Sequence, residues 1–429
     1  MTTAETALPP SGRRPAGAIP LVVVLAATSI TFAAGALVKA PCGSGAWQDG
    51  RQYRRLCYTD IVPLYGTEHL QGSRLPYLDT CPTSSTNQCD EYPVLTMYFM
   101  RVAAWIGHGY AGFFWTNAVL LGLLALAVAT ALYLAVGERS LYFAVAPTLL
   151  LSGLLNWDLL AVALAAWGTL AFLRDRDELS GALLGLGAVA KVYPALLVVP
   201  FALQRLRQRR AAGAVSLGVW AAAAYALVSV PFVLVARPAW LTFFRFNADR
   251  VADFDSLWYL ACRPLHLGCS LSPHRIDQLS LVLFLALAAG IYWARRRVDP
   301  DFPRWTFGFP LIVAFVLANK VYSPQYGLWF LPWFPLALPN LPLFVAFELA
   351  DVAVFVTRFS WFGRLGGLGG APLGAYQLAL VLRAAVLLAC LAAWILTPPA
   401  SPDTGGPRRR RGETGRSSRT ADPTARGIP

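Results

Sequence analysis

Long apolar runs separated by short arginine-bearing turns dominate this chain. Ala18–Ala40, Phe113–Val136 and Ala211–Val235 carry almost no charge, and each is long enough to cross a bilayer as a helix. The same pattern predicts spans near 19–40, 111–136, 141–155, 158–173, 180–203, 211–235, 278–294, 305–319, 326–338, 341–358 and 374–396. Within 180–203, Lys191 and Pro194 fall at the middle, while both ends lie beside basic residues. That stretch reads as a hairpin of two half-depth helices, which brings the total to about 12 membrane helices. Tyr92–Ile106 reads differently, because Pro93 opens it and Arg101 interrupts its apolar run. It is expected to lie on the outer surface. The fold class predicted is an all-α polytopic membrane protein.

Composition agrees with this pattern. Of 429 residues, 56% are apolar and 14% charged, and mean hydropathy is +0.51; soluble domains run nearer a quarter charged. A soluble enzyme, a secreted module and a nucleic-acid binder are excluded. The net charge of +13 has a membrane explanation in the positive-inside rule. Arginine clusters at 13–14, 139, 174–176, 205–210, 295–304 and beyond Pro407 assign one face, and both termini, to the cytoplasm. The outer loops are then 41–110 and 236–277. The polar segments 1–17 and 397–429, the latter with the run Arg408–Arg411, are expected to be disordered. Residues 18–396 form the membrane domain.

Six of the seven cysteines fall in the outer loops, which suggests disulfides on an oxidising face. Cys262 and Cys269 are expected to pair. Cys42, Cys57, Cys81 and Cys89 allow three pairings, among which the sequence does not choose. Their spacing does not suit zinc, and no metal site is predicted.

Arginine outnumbers lysine so strongly that the three lysines stand out. Lys39 ends the first span and reads as an interface anchor. Lys191 and Lys320 sit at the outer ends of apolar helices beside tyrosine and proline, where charge is costly and marks a ligand path. Among the outer acids, Asp60 stands where a loop turns into an amphipathic stretch, ordinarily the place of an N-cap. Asp158 likewise reads as a cap opening the next span. Asp90 and Glu91 read as solvated loop charges, and none of His69, His108, His266 and His274 is favoured. One acid facing Lys191, Arg250 and Lys320 would suit reaction with an anionic leaving group.

In order along the chain come Tyr58-Thr59-Asp60-Ile61, Glu91-Tyr92-Pro93-Val94-Leu95, Asn156-Trp157-Asp158 and Lys191-Val192-Tyr193-Pro194. Arg250, Asp255-Ser256-Leu257-Trp258 and Lys320-Val321-Tyr322-Ser323-Pro324-Gln325-Tyr326 follow. This series resembles glycosyltransferase family 87, of the glycosyltransferase C superfold. The resemblance implies juxtamembrane helices in the first outer loop and a catalytic carboxylate there, matching Asp60 as general base. It further implies transfer of a sugar, mannose in typical members, from a polyprenyl-phosphate donor to an envelope glycolipid or glycan, with inversion and without a cofactor or nucleotide sugar. Lys191, Arg250 and Lys320 would hold the donor phosphate. Glu91, Tyr92, Asn156, Asp158, Tyr193, Ser256, Trp258, Tyr322 and Gln325 would shape the acceptor side or support the site. The reaction would occur on the outer face of the plasma membrane. Rival readings are an arabinosyl- or glucosyltransferase using another polyprenyl-phosphate donor, and a transporter or flippase of lipid-linked saccharide.

Overall fold

The computed structural model describes residues 19–82, 89–262 and 271–397. Segment 1–17, the tail beyond Thr397, His266 and the Cys269 partner expected for Cys262 lie outside the described residues. The described residues form helices and no strands. Those that frame the site are α1 (Leu21–Lys39), α2 (Ile61–Thr67), α3 (Val94–Ile106), α4 (Gly109–Val136), α5 (Asp158–Leu173) and α6 (Asp177–Ala190). They continue as α7 (Val198–Arg207), α8 (Ala211–Val235), α9 (Pro273–Val298), α10 (Gly308–Ala318), α11 (Leu341–Leu365) and α12 (Leu373–Leu396).

Five helical stretches among the described residues are long and apolar enough to cross a membrane: Leu21–Cys42, Gly109–Ala144, Ala211–Val235, Pro273–Val298 and Leu373–Leu396. The larger count of about 12 stands only as a reading of the sequence. Two predicted spans are interrupted at a proline, which removes a backbone donor. The 141–155 stretch splits into Leu141–Ala144 and Pro147–Ser152, with Ala146 extended between them. The 326–338 stretch becomes Gly327–Phe330 and Trp333–Ala337 around Pro332.

Ion pairs fix which helix ends meet. Arg205 near the end of α7 donates to Asp177 at the start of α6 (2.7 Å) and to Phe172 O near the end of α5 (2.8 Å). The α6 and α7 arms are therefore antiparallel, as the hairpin reading expects. Arg207 pairs with Asp301 at 2.6 Å, the Arg304 amide donates to Gln204 Oε1 at 2.6 Å, and Arg295 reaches Ile395 O at 3.1 Å. The arginine clusters at 205–210 and 295–304 thus gather at one end of the bundle. At the other end lie the disulfides Cys42–Cys57 and Cys81–Cys89, one of the three pairings left open by the sequence. Helix α3 keeps to this second end: Thr96 donates to Ala190 O at the end of α6, and the following Gly107 packs against Gly112 at the start of α4. Its Arg101 is not a break facing solvent but a tie, donating to Leu70 O (3.0 Å) and Gly72 O (2.8 Å).

Small residues set a close contact between α6 and α8. A Cβ on Gly185 of α6 would lie 2.2 Å from Ala221 O of α8, and one on Gly181 would lie 2.4 Å from Leu217 O. Backbone meets backbone there, the geometry that small-xxx-small spacing permits. Gly185→Leu is expected to destabilise the protein by about 1–3 kcal/mol or more through overpacking. An unchanged thermal unfolding midpoint in detergent would refute this packing.

Candidate active site

Asp60 precedes α2 at the N-cap position, yet its side chain makes no capping hydrogen bond. Thr59 does that work, its Oγ1 accepting from the Ile61 amide at 3.2 Å and donating to Leu154 O at 2.6 Å. The Asp60 amide donates to Leu155 O at 2.8 Å. Two consecutive residues are thus pinned to the turn before α5, and the carboxylate is left for other work. Tyr58 Oη donates to its Oδ1 at 2.9 Å, and Asn156 Nδ2 to its Oδ2 at 3.1 Å. The same Nδ2 donates to Tyr92 Oη at 2.6 Å, while Asn156 Oδ1 accepts from the Trp157 amide at 2.5 Å. Burial raises the Asp60 pKa above the usual carboxylate range, opposed by these hydrogen bonds and by the charges of Arg358 and Lys191. Removal from water disfavours the anion more than the neighbours restore it.

Lys191 follows the end of α6 in extended conformation, so its side chain leaves the helix and reaches across. The ammonium lies 3.3 Å from Asp158 Oδ2 and over the rings of Tyr92 (5.6 Å) and Tyr326 (5.3 Å). Asp158 is not a cap: it opens α5 fully buried, and its Oδ1 accepts from Trp329 Nε1 at 2.7 Å. Tyr193 stacks on Trp329 at 4.3 Å, and Trp329 on Tyr326 at 3.8 Å. An aromatic wall therefore backs a cation held by one buried carboxylate.

The second outer loop reaches the same region through charge. Arg250 pairs with Asp253 at 3.2 Å, and its charge acts on Glu91, whose pKa is raised first of all by burial. Asp253 also meets Arg358 of α11 at 3.5 Å and accepts from Ser323 Oγ at 3.0 Å. Arg358 donates to Asp255 at 2.6 Å; Tyr376 Oη also donates to Asp255, and Arg383 of α12 lies 3.7 Å from it. Arg383 reaches Asp351 of α11 at 3.2 Å. A chain of ion pairs thus runs from the loop into α11 and α12.

Asp60, Asn156, Tyr92, Asp158, Lys191 and Tyr193 come together, joined by Arg358 and, through Asp253, by Arg250. Lys320 does not face this group. Its ammonium is buried on Asp277 (2.8 Å) and Ala248 O (2.9 Å), and its own carbonyl accepts from the Asp253 amide at 2.8 Å. Ser256, Trp258, Tyr322 and Gln325 serve as fixings: Ser256 Oγ donates to Asp253 O, Trp258 to Ala318 O, Tyr322 underlies Arg383 at 3.7 Å, and Gln325 is buried. Asp90 departs from the solvated reading, since it is buried and paired with Arg74 at 2.6 Å. Glu68 organises this part of the loop, accepting from the amides of Asp90 (2.6 Å) and Glu91 (3.2 Å); burial pushes its pKa up to about 8. Sequence reasoning missed Arg358 and Arg383, although a charge inside an apolar helix was the available signal. Among the described residues, no group of three or more His, Cys, Asp and Glu side chains is disposed to hold a metal ion.

The sequence profile of glycosyltransferase family 87 matches residues 91–319, more than half of the chain. The chain belongs to glycosyltransferase family 87. Five helices of membrane-crossing length among the described residues mark this family 87 chain as a membrane protein. The matched stretch carries Tyr92, Asn156, Asp158, Lys191 and Arg250 and begins after Asp60, which the Leu154–Asn156 turn brings to them. Among solved structures, the apo form of the Archaeoglobus fulgidus oligosaccharyltransferase is similar at 11% identity and TM-score 0.45, over 90% of this chain and 57% of that one. The family 87 chain thus spans little more than half the length of that protein. Comparison with curated protein sequences gives no match.

Proposed function

We propose that this chain transfers a sugar, mannose by the family resemblance, from a polyprenyl-phosphate donor to a hydroxyl of an envelope glycolipid or glycan. The observation that carries the reading is the Asp60 carboxylate, freed from capping, aimed by Tyr58 and Asn156, and under the charges of Lys191 and Arg358. In a single displacement, the acceptor oxygen bonds to the anomeric carbon while Asp60 takes its proton. The bond from that carbon to the phosphate oxygen breaks, and polyprenyl phosphate leaves with the electron pair. Lys191 and Arg250 stabilise the charge that grows on it, and Lys320 instead holds the loop that carries Arg250. Disulfides persist on an oxidising face, which supports reading this end as the outer one, at the plasma membrane, and the arginine-rich end as cytoplasmic.

The test is transfer by lipid-reconstituted protein offered polyprenyl-phosphate mannose, arabinose and glucose in parallel. Transfer from mannose alone supports the reading. Transfer from another donor corrects the sugar, and no transfer with any of them rejects the reading. The pH profile follows from Asp60. A base works deprotonated, so a raised pKa makes activity fall, on acidification, at a higher pH than an ordinary Asp near 4 would give. An acid limb of kcat/KM at or below that value would contradict the burial argument.

A further inference from the structure

The nine residues that sequence reasoning offered for acceptor binding or support are largely buried fixings, so the acceptor needs space elsewhere. An open cleft of about 420 Å³ lies one ring removed from Asp60, a volume in the range of small-molecule sites. One side is the Arg51–Arg54 turn of the first outer loop, which contributes Tyr53 and Arg54. The other is the outer end of α11 with the glycine-rich segment after it, contributing Val356, Ser360, Gly369 and Gly370. The Tyr53 ring stacks parallel to that of Tyr58 at 6.3 Å, and Tyr58 Oη is the group that donates to Asp60. Tyr58 also stacks on Phe359 of α11 at 4.8 Å, which ties the cleft's two walls together behind the base. The segment 366–370 turns tightly: Gly367, Gly369 and Gly370 have positive φ, and a Cβ on Gly370 would lie 2.1 Å from Ser360 O. A side chain is kept out at Gly370, while Leu368 lines the cleft, so the rim combines backbone polar groups with an apolar side chain.

This lining has the chemistry of carbohydrate recognition. A pyranose offers an apolar face of C–H groups that packs on an aromatic ring, and an equator of hydroxyls that need both donors and acceptors. Tyr53 supplies a ring face, the guanidinium of Arg54 supplies donors, and Ser360 with the glycine backbone supplies both kinds. We infer that this cleft is the subsite for the acceptor's saccharide, with Tyr53 as its stacking platform. The inference rests on the transferase reading, and it places the acceptor's saccharide one ring, that of Tyr58, away from Asp60.

The experiment uses the full chain in lipid nanodiscs and two variants, Val356→Trp to fill the cleft and Tyr53→Leu to remove the ring, each checked for a monodisperse profile. Initial rates are measured against acceptor and donor separately, and saturation-transfer NMR reads the binding of a methyl mannobioside alone. Both variants are expected to raise the acceptor KM by about tenfold or more, to leave the donor KM within about twofold, and to lose the saccharide signal. Asp60→Asn should keep that signal. Unchanged acceptor KM and signal in both variants overturn the proposal, and so does a rise in donor KM alone, which would give the cleft to the donor. If the wild type transfers no sugar, the transferase reading fails and the NMR still decides. A mannobioside signal abolished by Val356→Trp upholds the subsite, while a signal absent from wild type or untouched by that change rejects it.

Discussion

Asp60→Asn is expected to lower sugar transfer by roughly 10²–10⁴-fold while the protein keeps its fold. Asparagine has nearly the shape of aspartate, and the pocket can receive it. Its oxygen can accept from Asn156 Nδ2, and its amide can donate to Tyr58 Oη, since a hydroxyl can turn to accept. The Asp60 side chain caps no helix, and the backbone tie to Leu155 O is untouched. What disappears is the proton acceptor. The loss should therefore appear in kcat, with the KM values little changed. A folded variant that transfers at the wild-type rate would remove Asp60 from the chemistry.

Arg383→Met is expected to produce the largest loss of stability, roughly 3–5 kcal/mol, because it strands buried charge. Arg383 is 1% exposed. Its guanidinium holds Asp351 at 3.2 Å and Asp255 at 3.7 Å, and lies 3.7 Å over the Tyr322 ring. Methionine fills much of the volume and none of the charge. Asp255 keeps Arg358 and Tyr376, whereas among the described residues Asp351 keeps the Thr148 hydroxyl alone as a hydrogen-bond donor, at 2.9 Å. The thermal unfolding midpoint in detergent should fall clearly, and adding Asp351→Asn should recover part of it, since an amide needs no countercharge. A midpoint equal to wild type would show that these pairs contribute nothing to the packed state.

Much of the frame was legible because the bilayer imposes length and hydropathy on each segment. The α1, α4, α8, α9 and α12 segments are apolar over about 20 residues and needed no tertiary information. The break at Lys191 was legible for the same reason, as charge and proline in the middle of an apolar run. The interruptions at 147 and 332 were not legible as such, because hydropathy is blind to a missing N–H. For the site, sequence could offer Asp60 as a carboxylate but could not tell a cap from a free acid. That distinction rests on Thr59 taking the capping bond and on partners nearly a hundred residues away. Lys191 and Lys320 looked alike in sequence, with the same tyrosine and proline company. They differ in whether the carboxylate they meet, Asp158 or Asp277, belongs to the group around Asp60. Arg358 was hidden because its partners, Asp253 and Asp255, sit in a loop about a hundred residues earlier in the chain.

The Asn156 amide has a consequence for how this enzyme could be switched off by inheritance. All of its polar capacity on the Asp60 side is a single NH₂ group, donating to the base at 3.1 Å and to Tyr92 at 2.6 Å. Replacing that group by oxygen, as in Asn156→Asp, would set two carboxylates at hydrogen-bonding distance. Such a dyad shares one proton, and its second ionisation is strongly disfavoured. The base would become an acid with hardly an atom moved. A lineage that no longer needed the reaction could therefore keep the whole folded protein and lose only its chemistry, by exchanging an NH₂ group for an oxygen.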